Sequence, residues 1–423
     1  MSYIQGICNF CGTGCGNLVE TTENTITGVL PDPAHPFSQG KLCVRGWHIH
    51  ELFSTEDRIV TPLIKDNNTI KEADYDSAID TVVKRLGQYN GDEIGVLASP
   101  RSYNEENYLL MKLARGIFKT NNINITSDLG HRNFIDVSKE GTGNPYMSAS
   151  LEEIQTADLI FVISSDITKV NPIIGSEIFL ASQRGARVIT LSSIKTQIAK
   201  LSNLHIQPYS GSIKACIACM AKAIIEDNLH DKNYLQESTT GFEGFANFLG
   251  SVKFEELNEI IKIDYRQLQE AAKELMNAKN ALVVFSTGIS GLDKDTISYI
   301  YNLFLLAGKI GKPGSGLLPV TAICNIVGSY DMGLAPDLLP GYKPLEDTAN
   351  REKFNTLWNT ELNPHDGKNV YDLLSDEHNQ LKALIVIDHD EEIIHFADKI
   401  QELDFVVYCG SYSNPFTSFA DVV

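Results

Sequence analysis

Basic residues are scarce in this chain: 35 lysines and arginines stand against 54 aspartates and glutamates, for a formal net charge of −19 at neutral pH. Proteins hold a phosphate backbone by neutralising it with cations, so nucleic acid is set aside as a partner. Long apolar runs are also lacking. No stretch reaches the roughly 18 consecutive apolar residues of a membrane-spanning helix, and no membrane span is expected. No secretory or twin-arginine pattern precedes Cys8, so the expected location is cytoplasmic. Cysteine is sparse as well, with eight in 423 residues, which fits poorly with a disulfide-stapled secreted domain. There is no internal repeat and no low-complexity segment.

The few cysteines are concentrated. "CNFCGTGCGN" places Cys8, Cys11 and Cys15 in one loop, and "GKLCVRGW" adds Cys43, giving C-x2-C-x3-C-x27-C. Four thiolates so spaced suit a [4Fe-4S] cluster, in which each iron takes one cysteine sulfur. The intervening glycines let the backbone come close and aim N–H groups at the sulfurs. A four-cysteine zinc site is the alternative, although zinc knuckles usually split their ligands into two separated pairs. A disulfide framework is the third reading.

With 423 residues, 43% of them hydrophobic, the chain has material for two to four domains. From Glu93 onward, short apolar runs alternate with amphipathic stretches. "EIGVLAS", "ADLIFVIS", "ARVITLSS", "ALVVFSTG", "LKALIVID" and "LDFVVYC" read as strands, and their continuous β-branched content marks strands buried on both faces of a parallel sheet. "NEENYLLMKLARGIF" reads as a helix with Tyr108, Leu109, Leu113 and Ile117 on one stripe, and Ile213 to Glu226 as another helix. The expected fold is α/β: two doubly wound parallel-sheet domains after a small cysteine-bearing one. Pro340 to Asn369 is expected to be the longest irregular connection.

The cysteine pattern with "LCVRGW", followed in order by "SPRSYNEENYLLMKLAR", "NPIIGSEI", "LLAGKIGKPGSG" and "YDMGLAPDLLPGYKP", resembles the molybdopterin oxidoreductases. The likeness runs over essentially the whole chain and is closest to the catalytic subunit of molybdenum or tungsten formate dehydrogenases. It implies an iron–sulfur domain over residues 1–60, an α/β domain over 61–125 plus 326–423, and an inserted α/β domain over 126–325. It implies a cluster on Cys8, Cys11, Cys15 and Cys43, beside a molybdenum or tungsten bis(pterin guanine dinucleotide). Arg45 takes the place of the basic residue that links cluster to pterin, a role open to arginine.

Several of the family's functional positions are changed. The metal ligand, a cysteine or selenocysteine directly before a histidine, corresponds to Gly130 before His131, and no cysteine lies between Cys43 and Cys216. The R-G-Q-N-N segment that handles the anionic substrate reads "TAICN", with Thr321 for the arginine and Ile323 for the glutamine. Losing a bidentate cation there removes the partner of a formate anion. Among the cofactor loops, G-S-N-P is "SSDI" from Ser164, D-P-R-R-T is "SSIKT" from Ser192, and G-x-N-P is "DHDE" from Asp388. Asp166, Asp388 and Asp390 bring negative charge where a pyrophosphate calls for glycine and positive potential. "GIS" runs into "GLDKD" without the family's Q-H-T stretch, and the sequence ends at "SFADVV", where the family continues into a C-terminal barrel.

Cys216 and Cys219 form a C-x2-C, but helical apolar periodicity around them points to packing. Burial is also the expectation for Cys324 and Cys409, and a solvated face for the acidic residues near Glu152 and Asp390 to Glu392. The leading functional expectation is a non-catalytic electron-transfer and scaffold subunit with one [4Fe-4S] cluster, similar to the large iron–sulfur subunit of respiratory complex I. Partner subunits carrying flavin or further clusters are expected to dock near residues 1–60. The alternative is a catalytic molybdenum or tungsten pterin oxidoreductase of formate dehydrogenase type, capped by a barrel on another subunit, with His131 as the proton-transfer residue.

Overall fold

The computed structural model describes residues 1–23, 25–66, 69–125, 130–287, 291–378, 380–388 and 391–423, with the side chains of 255, 391 and 392 left aside. The chain divides into two compact units, Met1–Trp47 with Leu129–Ala322 and His48–Asp128 with Ile323–Val423.

The first unit opens with an antiparallel meander of strands Ser2–Ile7, Gly16–Thr22 and Thr25–Pro31. The loop of three cysteines joins the first two strands. It is pinched shut where the Cys8 amide donates to the Cys15 carbonyl at 2.8 Å. Behind the meander in sequence comes a five-stranded parallel sheet, in the order Leu204–Ile206, Arg187–Leu191, Leu159–Ile163, Ala281–Ser286, Gly316–Val320. Its central strands "LIFVI" and "ALVVF" are buried throughout, as their unbroken apolar sequence requires when helices cover both faces. Chain order reverses between Leu159–Ile163 and Ala281–Ser286, which makes their carboxyl ends the switch point where open α/β sheets form crevices. The helix Ile213–Glu226 lies against Tyr265–Asn277 and Lys294–Leu306. Cys216 and Cys219 sit on it within the core, and burial pushes their thiols up to about 12 and about 11.

The second unit holds a four-stranded parallel sheet in the order Phe405–Cys409, Ala383–Ile387, Ile94–Ala98, Ile123–Ile125. The expected strands and helices of the doubly wound pattern are thus present in both units, with three differences of detail. Leu109, Leu113 and Ile117 are exposed; only Tyr108 of that stripe is covered, by Trp358, whose indole donates to its hydroxyl at 2.7 Å. The inward face carries Asn107, Met111, Ala114 and Arg115 instead, because its polar members find partners. Asn107 donates to the Ser329 hydroxyl at 3.2 Å. Arg115, 1% exposed, donates to the Asn121 side chain and to the carbonyls of Ala335 and Leu338 at 2.7 to 2.9 Å.

The segment 340–369, expected to be irregular, contains the helix Thr348–Trp358, started by Asp347, whose carboxylate accepts from the Ala349 and Asn350 amides. Cys409 ends its strand at the sheet's edge and is exposed as a residue, contrary to expectation, while burial of the thiol itself pushes its pKa up; Cys324 is buried. Among the described residues no helix is long and apolar enough to cross a membrane.

Candidate metal centre

The cysteine loop is compact because two of its glycines permit it. Gly14 adopts φ +58°, a left-handed backbone that glycine takes at little cost, and its amide donates to the Cys11 carbonyl at 3.2 Å. Cys43 arrives from the start of the short helix Val44–Trp47, where the Trp47 amide donates to the Cys43 carbonyl at 3.0 Å. Cys8, Cys11 and Cys15 are buried and Cys43 is half-buried; all are free thiols. The four line one small hollow, together with Thr13, Gly46 and Pro172. A cubane cluster spreads its four thiolates over four irons. Four free thiols around one hollow suit such a cluster, and none of them is in a disulfide.

Electrostatics point the same way. Burial pushes the Cys15 thiol up to about 12, and the neighbouring Cys11, Cys8 and Cys43 push it further in the same direction. Burial also raises Cys8, offset in part by a backbone hydrogen bond at Phe10 and by Arg45. Thiols so placed give up their protons when a bound metal cation takes the charge. Arg45 donates from Nη2 to the Val170 carbonyl at 2.8 Å and lies over the Phe10 ring at 5.9 Å. It ties the cysteine region to the turn before Asn171.

The same turn seats the loop from the other side. The Gly12 amide donates to the Thr321 carbonyl at 3.0 Å. The Asn171 Nδ2 donates to that carbonyl at 3.0 Å and to the Thr13 hydroxyl at 3.3 Å. A Cβ on Gly12 would overlap the Thr321 hydroxyl and press on its carbonyl oxygen at 3.1 Å. Gly12→Ala is expected to cost about 1–3 kcal/mol of stability, as overpacking does, read as a fall in the urea midpoint at constant slope.

Gly130 is buried at the entry to the helix His131–Thr142 and offers no side-chain donor. His131, 2% exposed, shares a hydrogen bond of 2.8 Å between its Nδ1 and the Thr287 hydroxyl, with the Phe134 ring beside it. Burial holds it down to about 4, so the ring is neutral near pH 7. The "GIS" reading and residues 126–129 before Gly130 lie outside the described residues, as does Asp390.

Two cofactor-loop positions keep a glycine's backbone without the glycine. Ser164 has φ +46° and Asp388 φ +40°, each just past a strand of a parallel sheet. A left-handed non-glycine residue carries strain of about 1–2 kcal/mol, part of which glycine offsets by its own chain entropy. Ser164→Gly is therefore expected to stabilise the protein by about 1 kcal/mol, seen as a higher denaturation midpoint. Nearby, the Asp166 carboxylate pairs with Lys169 at 3.1 Å and accepts from the Thr168 hydroxyl at 2.9 Å. Thr196, in "SSIKT", caps the short helix Gln197–Leu201.

Thr13, Asn171 and Thr287 were not legible as site residues. Asn171 lies within "NPIIGSEI", but nothing in the sequence says that its side chain reaches a loop 158 positions away.

Comparison with known proteins places this geometry. The molybdopterin oxidoreductase Fe4S4 domain matches residues 1–54 and the molybdopterin oxidoreductase domain residues 58–423. The alpha subunit of a formate dehydrogenase of Methanocaldococcus jannaschii is 31% identical over 427 residues, 99% of this chain and 63% of that one. Formate dehydrogenase H of Escherichia coli is 28% identical over 444 residues, 100% of this chain and 62% of that one. The chain thus spans under two thirds of the length of these relatives. Acetylene hydratase from Pelobacter acetylenicus shares the fold, with a TM-score of 0.76 at 17% identity over 99% of this chain and 62% of that one. Four cysteines around one hollow beside an antiparallel meander, followed by two parallel-sheet bodies and matched over nearly the whole chain by these two domains, make the chain a formate-dehydrogenase-like member of the molybdopterin oxidoreductase family.

Proposed function

We propose that this chain is an electron-transfer and scaffold subunit of a multi-subunit redox complex. It carries one [4Fe-4S] cluster on Cys8, Cys11, Cys15 and Cys43 and does not itself oxidise formate. The observation that carries the reading is the pair Gly130 and His131: the first has no donor for a metal, and the second is buried, neutral and bonded to Thr287. Two further features support it. Thr321, at the place of the substrate arginine, has its carbonyl engaged by Gly12 and Asn171. An ion pair of Asp166 and Lys169 stands where a glycine-lined turn would receive a pterin dinucleotide.

When bound, the cluster supplies one-electron transfer; the chain's residues hold it, shield it on the Cys8, Cys11 and Cys15 side, and leave Cys43 half-open. Flavin- or iron–sulfur-bearing partners would dock near residues 1–60, since electron transfer needs short gaps. Such a complex would work in the cytoplasm.

The names of the relatives favour a second reading, in which the chain is catalytic with a pterin-bound molybdenum or tungsten. Electron paramagnetic resonance on the anaerobic complex separates the two. Under the first reading dithionite raises a reduced-cluster signal and formate raises none, even with the partner subunits present. A signal raised by formate that survives removal of any other formate-oxidising subunit sinks it.

A further inference from the structure

We propose that the Thr13 hydroxyl, oriented by the buried Asn171 amide, donates a hydrogen bond to the Cys11 sulfur of the bound cluster and raises its reduction potential. The inference rests on Cys11 being a cluster ligand, as proposed above, and goes on to name the residues that tune it.

The orientation follows from donors and acceptors alone. The Thr321 carbonyl can only accept, so the amide group 3.0 Å away must be the nitrogen of Asn171. That nitrogen's second hydrogen points to the Thr13 Oγ1 at 3.3 Å, which makes Thr13 the acceptor there. The hydroxyl proton of Thr13 is left to be given elsewhere. Its neighbour is the Cys11 Sγ at 3.4 Å. A free thiol can donate to the hydroxyl across that gap, but a thiolate bound to iron has no proton, and the only polarity left is hydroxyl to sulfur.

The chain of contacts is shielded and held. Asn171 is fully buried, and Thr13 and Cys11 are each 6% exposed, so bulk water does not compete for the bond. Asn171 is fixed by its backbone, with its amide donating to the Ile167 carbonyl at 2.9 Å and its carbonyl accepting from Gly175 at 3.0 Å. Pro172, next in sequence, lines the hollow of the cysteines. The Asn171 Oδ1 has no hydrogen-bond partner among the described residues. Among the described residues the side chain makes its hydrogen bonds through its nitrogen alone.

Reduction adds one electron to the cluster, [4Fe-4S]2+ to [4Fe-4S]+, and that charge spreads onto the ligand sulfurs. A donor aimed at one of them in a dry site stabilises the reduced form more than the oxidised one. Thr13 is a positioning residue, and its effect belongs in the midpoint potential.

The test is a redox titration of the anaerobic complex with dithionite and mediator dyes, followed by electron paramagnetic resonance, on the wild type, Thr13→Val and Thr13→Ser. Thr13→Val is expected to lower the ratio of reduced to oxidised cluster at fixed potential by up to about tenfold, a midpoint about 59 mV more negative for one electron. Thr13→Ser keeps the hydroxyl and is expected to restore the wild-type midpoint. A Thr13→Val protein with a full cluster signal and an unchanged midpoint overturns the proposal. If Thr13→Val fails to hold iron, Asn171→Ser carries the test: a smaller shift in the same direction supports the proposal, and no shift overturns it. No four-iron signal in the wild type would instead refute the ligand assignment and the tuning with it.

Discussion

Serine at both Cys8 and Cys11 is expected to strip the protein of its iron, from near four atoms per chain to below one, with loss of the reduced-cluster resonance. The two sulfurs are half of the proposed ligand set, whose four cysteines line the hollow. Serine's hydroxyl is a far poorer ligand for iron than a thiolate, since it stays protonated near neutral pH. The consequence extends to folding, because metal bound only by the native state adds its binding free energy to stability. The double variant should therefore melt several degrees below the wild type. Cys409→Ser is the matched control: that residue is not among those lining the hollow, and its loss leaves iron unchanged. Iron retained at wild-type stoichiometry in the double variant contradicts the ligand set.

The second large effect is a pH dependence localised to His131. An ordinary histidine titrates near 6.5, and burial holds this one down to about 4. Between those values the unfolded chain binds a proton that the folded chain refuses. Stability is therefore unaffected above pH 6.5 and falls as pH drops toward 4, by about 1.4 kcal/mol per unit and about 3 kcal/mol in all. His131→Gln keeps a polar group for the Thr287 hydroxyl and removes the titration. Urea midpoints at pH 7 and pH 4.5 should show the wild type losing about 2.4 kcal/mol more than the variant, since carboxylate protonation acts on both. Equal losses would mean that the imidazole is protonated in the fold. The same shift bears on function: a histidine titrating near 4 is poorly matched to proton transfer near neutral pH.

What could be read from sequence divides along a physical line. Strands buried on both faces declare themselves, because "LIFVI" and "ALVVF" admit no polar position. The cysteine loop is legible because ligand spacing is local. Periodicity showed that residues 104–113 form a helix but not which face is covered. The inward face is partly polar, and Asn107 and Arg115 are acceptable there only because Ser329, Asn121 and two carbonyls meet them. The helix Thr348–Trp358 was hidden by the turn-rich "PGYKPLED" and "NPHDGKN" on its flanks, although Asp347 is a good capping residue. At the site, Thr321 and Gly130 stood out as departures from a family pattern. What Thr321 does instead, its carbonyl seating a loop some 300 positions earlier through Gly12 and Asn171, is tertiary information that no local window contains.

Ser164 and Asp388 each adopt a left-handed backbone just past a parallel strand, at places where the resemblance puts glycine.

Elemental analysis for iron, molybdenum and tungsten on the anaerobically purified complex, with metal assigned to this chain by comparison with the form carrying serine at Cys8 and Cys11, tests the account most directly. About four irons per chain that vanish with the two cysteines, and no molybdenum or tungsten assignable to the chain, is the expected result. Stoichiometric molybdenum or tungsten on this chain would contradict a relay role and make it the catalytic subunit.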